Sequence, residues 1–227
     1  MIDYNNLEQF LSRERLDKYL KYTDNDIKLA IKLYELNIEI SQSLYLPLNY
    51  FEIFLRNHCN NKLVKEINNS WLNSNILFGN NKEKEKLTFK KIEEVKLRII
   101  KHKKEKNILN YIPNNNDIVS NLDLGFWTNL FCANYENTIW APYLKHIFVG
   151  FQRKSLFKII NTIRELRNRI FHYEPIIFNQ QYLEEQYNNI IAIIGFISNG
   201  TICNYIENKT KFRLLLKELK NSGAPLN

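Results

Sequence analysis

Ile163-Arg164-Glu165-Leu166-Arg167-Asn168-Arg169-Ile170-Phe171-His172-Tyr173-Glu174-Pro175 is the stretch whose spacing decides the fold. With Leu156, Ile159 and Ile160 just upstream, its Ile163, Leu166 and Ile170 recur every three or four residues. That is the period of an amphipathic helix and not of a strand. The apolar stripe anchors the helix on a core and leaves its other faces polar. Pro175 disfavours helix at Glu174, so the helix is expected to run from about Ser155 and to end near His172 or Tyr173.

Working outward, the same period recurs along the chain. Only 6 Gly and 5 Pro punctuate 227 residues, which favours long helices over many short strands. A first helix is expected through Leu7, Phe10 and Leu11, resuming at Leu16, Tyr19 and Leu20. Asp24, Asn25 and Asp26 offer N-caps for a second, carrying Ile27, Ala30, Ile31, Tyr34 and Ile38. Pro47 suits the first turn of a third, with Phe51, Phe54, Leu55, Leu63 and Ile67 on its apolar face. Loops are expected at Asn68-Asn69 and Gly79-Asn80-Asn81, and a basic helix from about Lys82 to Lys106 with Leu87, Ile92, Val95, Ile99 and Ile100 as its stripe. Residues 113–142, rich in aromatics, read as short helices. Helices at Gln180–Ser198 and Thr201–Lys220 complete an all-α fold. The expected organisation is a single all-helical domain over residues 1–227, its N-terminal helices (1–110) packed with C-terminal helices (150–220).

Several function classes are excluded. Cys59, Cys132 and Cys203 are odd in number and far apart, which argues against a disulfide framework and a Cys-rich zinc site and for a reducing cytoplasm. The first residues lack the basic patch and apolar run of a secretory signal. The most apolar run, Ile190 to Ile197, is far short of the ~20 residues that span a bilayer. His58, His102 and His146 are too dispersed to propose a metal site, no Gly-rich phosphate loop is present, and no cofactor is expected.

Within the opening stretch, the ~100° advance per residue puts Arg167 at the edge of the apolar stripe, with Asn168 and His172 sharing the polar side beside it. A histidine that exchanges protons near neutral pH can move one to or from a ribose 2′-OH or a 5′-leaving oxygen. An arginine fork can hold the scissile phosphate and stabilise its transition-state charge. Together they suit metal-free RNA cleavage, with Asn168 holding the imidazole or the phosphate. The spacing alone also fits a solvated helix face or a C-cap.

The string Arg-Asn-x-x-x-His in a basic, all-helical chain resembles the motif of HEPN ribonucleases. Leu166 to Ile176 is similar to the signature of Abi-like abortive-infection proteins, the AbiD/AbiF-type branch. Two further stretches resemble that branch: Tyr34-Glu35-Leu36-Asn37 leading to Phe51-Glu52-Ile53-Phe54-Leu55-Arg56-Asn57, and Asp123-Leu124-Gly125-Phe126-Trp127. The resemblance spans about residues 15 to 200. It implies a HEPN-like helical bundle with additional helices and a ribonuclease of bacterial antiviral defence, with Arg167 and His172 catalytic and Asn168 in the variable polar place. It also implies a small non-coding RNA as a partner besides the substrate RNA.

Five residues after Arg56 stands Asn61 where a second motif would need His, so that half reads as non-catalytic, Glu52 and Arg56 forming an intrahelical pair. One Arg/His set per chain points to a homodimer joining two sets in one cleft. Residues 82–106 hold eleven Lys or Arg against five Glu, giving +6 of the chain's +8. Lys90, Lys91, Arg98, Lys101 and Lys104, with Arg164 and Arg169, are the expected phosphate contacts. Phe126, Trp127, Tyr135 and Trp140 fit core packing better than base stacking. The alternative to a ribonuclease is a non-catalytic RNA-binding protein that uses the same Arg and His as phosphate ligands.

Overall fold

The computed structural model describes residues 10–74, 77 and 83–221, and among them there is no strand. The α-helices are α1 (Arg13–Lys21), α2 (Ile27–Glu66), α3 (Glu83–Glu105), α4 (Asn115–Asn121), α5 (Leu124–Asn129), α6 (Arg153–Phe171), α7 (Gln180–Ser198), α8 (Cys203–Lys209) and α9 (Phe212–Asn221). Short 3-10 and π turns at Trp71–Asn73, Ala133–Tyr135, Glu136–Trp140 and Leu144–His146 connect some of them. The expected positions Leu7, Lys82 and the loop 79–81 lie outside the described residues, as does the side chain of Leu87. The all-α expectation holds, and so do the short helices expected in the aromatic segment.

The chain forms two compact units, Met1–Phe51 with Glu165–Asn227, and Glu52–Arg164. In the first, α1 buries Leu16, Tyr19 and Leu20, the ring of Tyr22 stacks on Phe178 at 4.2 Å, and Tyr187 stacks on Phe212 at 4.2 Å. In the second, Trp71, Phe126, Trp127, Phe131 and Phe148 are all buried. Trp71 Nε1 donates to Asn60 Oδ1 at 3.0 Å, and Asn115 Nδ2 donates to the same oxygen at 3.3 Å. Phe126, Trp127, Tyr135 and Trp140 are core residues, with exposures of 4% or less.

Two boundaries differ from expectation, and one residue accounts for both. Asp26 caps α2 as expected, its Oδ1 accepting from Lys28 N and Leu29 N at 2.9 and 3.1 Å. No second start occurs at Pro47, because α2 runs through it as one helix of 40 residues. A proline inside a helix lacks the N–H that would bond the carbonyl four residues earlier, here that of Ser43. Thr210 Oγ1 donates to that carbonyl at 2.5 Å. Thr210 is also where the helix expected over Thr201–Lys220 breaks into α8 and α9: its backbone is extended (ψ 144°) and its Oγ1 accepts from Phe212 N at 3.2 Å. Thr210→Val is expected to destabilise the chain by about 1–3 kcal/mol, the cost of an unsatisfied carbonyl. Pro47→Ala restores the missing N–H and should cancel most of that loss in a double-mutant cycle followed by urea unfolding. Strictly additive effects would show the two positions to be uncoupled.

Helix α3 buries Ile92, Val95 and Ile99, but Ile100 is 38% exposed and leaves the expected stripe. Ile100 lies eight residues after Ile92, which turns it about 80° off the buried line. Among the described residues, no helix is long and apolar enough to cross a membrane.

Candidate functional site

Helix α6 sits as its periodicity requires: Leu156, Ile160, Ile163 and Leu166 are fully buried and Ile170 nearly so. Arg153 at its start pairs with Glu136 and donates Nη1 to the Phe131 carbonyl at 2.8 Å. At the other end the chain closes a Schellman motif. Tyr173 N donates to Ile170 O at 3.0 Å and Glu174 N to Arg169 O at 2.8 Å, which makes His172 the C-cap. The residue that follows, Tyr173, takes the left-handed conformation (φ 57°) that glycine usually supplies there. A side chain in that conformation costs ~1–2 kcal/mol. The turn is held from outside: Arg15 Nη1 donates to the Tyr173 carbonyl at 3.0 Å, and buried Asn37 accepts from Ile176 N through Oδ1 at 2.8 Å. Asn37 of the Tyr34–Asn37 stretch therefore fixes the chain just past the motif.

The three expected catalytic residues share this end of α6. Arg167 is half-buried at the stripe's edge, its guanidinium lying over the Phe171 ring at 4.1 Å. Its Nη1 approaches Asn168 Oδ1 at 3.5 Å, the outer limit of a hydrogen bond. His172 is exposed, and its backbone N–H keeps the last helical bond, to Asn168 O at 2.9 Å. A cation is thus held on an aromatic face within one and a half turns of an accessible imidazole. Tyr182 of α7 lies in the field of the same helix: burial raises its phenol's pKa, Glu165 adding to the shift and Arg169 opposing it.

The expected phosphate contacts divide into committed and exposed groups. Arg164 donates to Asn161 Oδ1 at 2.9 and 3.2 Å. Arg169 bonds the Pro175 carbonyl and lies 3.5 Å from Glu174. Lys91 is bonded to Asp123 at 2.5 Å, and Arg98 Nη2 donates to Asn121 O at 3.1 Å. Lys90, Lys101 and Lys104 stand exposed on α3, with Lys90 3.8 Å from Glu94.

The remaining quoted stretches are structural in their contacts. Asp123 caps α5 by accepting from Phe126 N at 2.9 Å. Gly125 leaves room for that carboxylate, since a Cβ there would come within 3.2 Å of Asp123 Oδ1. The expected Glu52–Arg56 pair does not form: Arg56 Nε turns to its neighbour Asn57, donating to Oδ1 at 3.1 Å. His58 packs edge-on to Phe148, with Nε2 3.2 Å from the Ile147 carbonyl. Among the described residues no three His, Cys, Asp or Glu side chains converge in a way that could hold a metal ion.

Beside the motif lies a feature the sequence reading did not contain. A cavity of about 630 Å³ is lined by Arg15, Tyr34, Tyr45, Phe171 and Tyr173 among others. Its polar wall comes from Asn37, Ser41 and Gln42 of α2. No local signal marks it, because the residues come from three separate stretches.

No curated protein and no solved structure matches the chain. The family model for Abi-like proteins matches residues 2–179, a span that takes in the Tyr34–Asn37 and Phe51–Asn57 stretches, Asp123–Trp127 and the whole of α6 with His172. The chain belongs to the Abi-like protein family, of abortive-infection type.

Proposed function

We propose that this chain is a metal-independent endoribonuclease of the HEPN type, of the AbiD/AbiF branch, acting in bacterial defence against phage. The observation that carries the reading is the end of α6, where Arg167 is propped on Phe171 beside Asn168 and His172 stands accessible at the C-cap. In the reaction the 2′-oxygen of a ribose attacks the adjoining phosphorus, and the bond from phosphorus to the 5′-oxygen breaks. His172 takes the 2′-OH proton or supplies one to the departing 5′-oxygen. Arg167 holds the phosphate's non-bridging oxygens and offsets the charge that builds on them. The products are a 2′,3′-cyclic phosphate, or the 3′-phosphate from its hydrolysis, and a 5′-hydroxyl.

One imidazole per chain serves one proton transfer at a time, so a twofold homodimer that brings two α6 ends into one cleft supplies both a base and an acid. The exposed lysines of α3 bind RNA backbone, and a small non-coding RNA accompanies the protein in the cell. The test is end-group analysis of RNA incubated with the purified chain in EDTA. Cyclic phosphate and 5′-hydroxyl ends are expected, with a single 2′-deoxy substitution blocking cleavage at that position and DNA left intact. Tight RNA binding with no cleavage would replace this reading with a non-catalytic RNA-binding protein. Light scattering of the active species tests the dimer, and sequencing of co-purified RNA tests the partner.

A further inference from the structure

We propose that the cavity beside the motif receives one unpaired RNA base, the base adjoining the phosphate that Arg167 and His172 address; this rests on the ribonuclease reading above. His172 stands between Phe171 and Tyr173, and both of those line the cavity. Phe171 therefore presents its ring to two tasks, carrying the Arg167 guanidinium at 4.1 Å and walling the cavity. Tyr45 meets Phe171 at 5.9 Å with ring planes only 30° apart. Tyr45 is 57% exposed, Phe171 43% and Tyr173 75%, so the aromatic side chains at the cavity remain accessible from outside. Accessible aromatic side chains are what an unpaired base stacks on.

The surroundings favour a nucleotide over an apolar partner. Arg15 lines the cavity and Arg167 lies over the ring of Phe171, so two cations stand by the rim, matching the phosphate that any base brings with it. Gln42 is exposed on the polar wall and offers an amide donor and acceptor to a base edge. The cavity's volume of about 630 Å³ is in the range of small-ligand sites, enough for a nucleotide and too small for a duplex.

The experiment titrates a short single-stranded oligoribonucleotide carrying one 2-aminopurine into the His172→Ala chain, whose cleavage is slow enough for binding to be read first. Stacking in the cavity should quench the probe. Adding Tyr45→Ala should abolish the quench and weaken binding about 10-fold or more, the effect of losing one base stack, and Tyr45→Phe should restore both. An oligonucleotide abasic at the probe position should bind equally well whether or not the chain carries Tyr45→Ala. In the chain with His172 intact, Gln42→Ala should flatten the base preference at the cut site. Unchanged quench and affinity in Tyr45→Ala overturn the proposal, as does a Tyr45→Ala chain whose only change is loss of self-association. Because the readout is binding, a chain that binds and quenches but never cleaves overturns the ribonuclease reading alone.

Discussion

His172→Ala is expected to slow RNA cleavage by ~10²-fold or more while leaving RNA affinity and folding nearly unchanged. The side chain is exposed at the C-cap of α6, and the bond it makes there, from its backbone N–H to Asn168 O, survives the substitution. Arg167→Ala should cost at least as much, since it removes the cation that α6 holds on an aromatic face. Arg167→Lys separates charge from shape: it keeps the cation and loses the planar fork, and activity should stay low. Asn168→Ala should cost only a few-fold, because its 3.5 Å contact with Arg167 is at the limit of a hydrogen bond. Single-turnover rates in EDTA, with circular dichroism as the folding control, decide this. Wild-type rates in both the His172 and Arg167 variants would remove these residues from the chemistry.

What could be read from the sequence was whatever depends on neighbours within a few positions. The stripe from Leu156 to Ile170, the Asp26 cap and the end of α6 before Pro175 are local rules, and each appears in the structure. The rule that a proline begins a helix is local too, and it fails at Pro47. The group that satisfies the freed Ser43 carbonyl is Thr210, 167 positions away. Thr210 also stands at the break in the helix expected over Thr201–Lys220, so both differences meet at one long-range contact that no local rule reaches. Ile100 departed for the opposite reason: a strictly local period was followed one residue too far.

The site divides in the same way. That Arg167 would lie at the stripe's edge and His172 near the helix end followed from the turn angle and from Pro175. The Arg167–Phe171 stack is an i, i+4 contact and was open to a local reading. The cavity was not, since Tyr45, Arg15 and Phe171 converge only in the folded unit. Nor could the sequence reveal which cations are committed. Lys91 and Lys90 are adjacent and alike in composition, yet it is Lys91 that is bonded to Asp123, 32 residues on.

That difference sets the design of the last test, charge reversal on α3. Lys90, Lys101 and Lys104 fall within about 60° of one another around the helix, and all three are exposed. The Lys90–Glu94 contact at 3.8 Å joins two well-solvated side chains and adds little stability. Lys91 stays untouched, because Asp123, its partner, also caps α5 and reversal would damage the fold. Changing the three exposed lysines to Glu takes the +6 of residues 82–106 to neutral, each swap altering the charge by two. If this face tracks single-stranded RNA, losing three phosphate contacts should lower the slope of log K against log salt by about 2, and affinity at low salt should fall steeply. His172→Ala should leave that slope alone, which separates docking from chemistry. An unchanged slope and affinity in the triple variant, with its helical dichroism intact, would mean that water alone covers this face of α3 and that RNA is held at the end of α6.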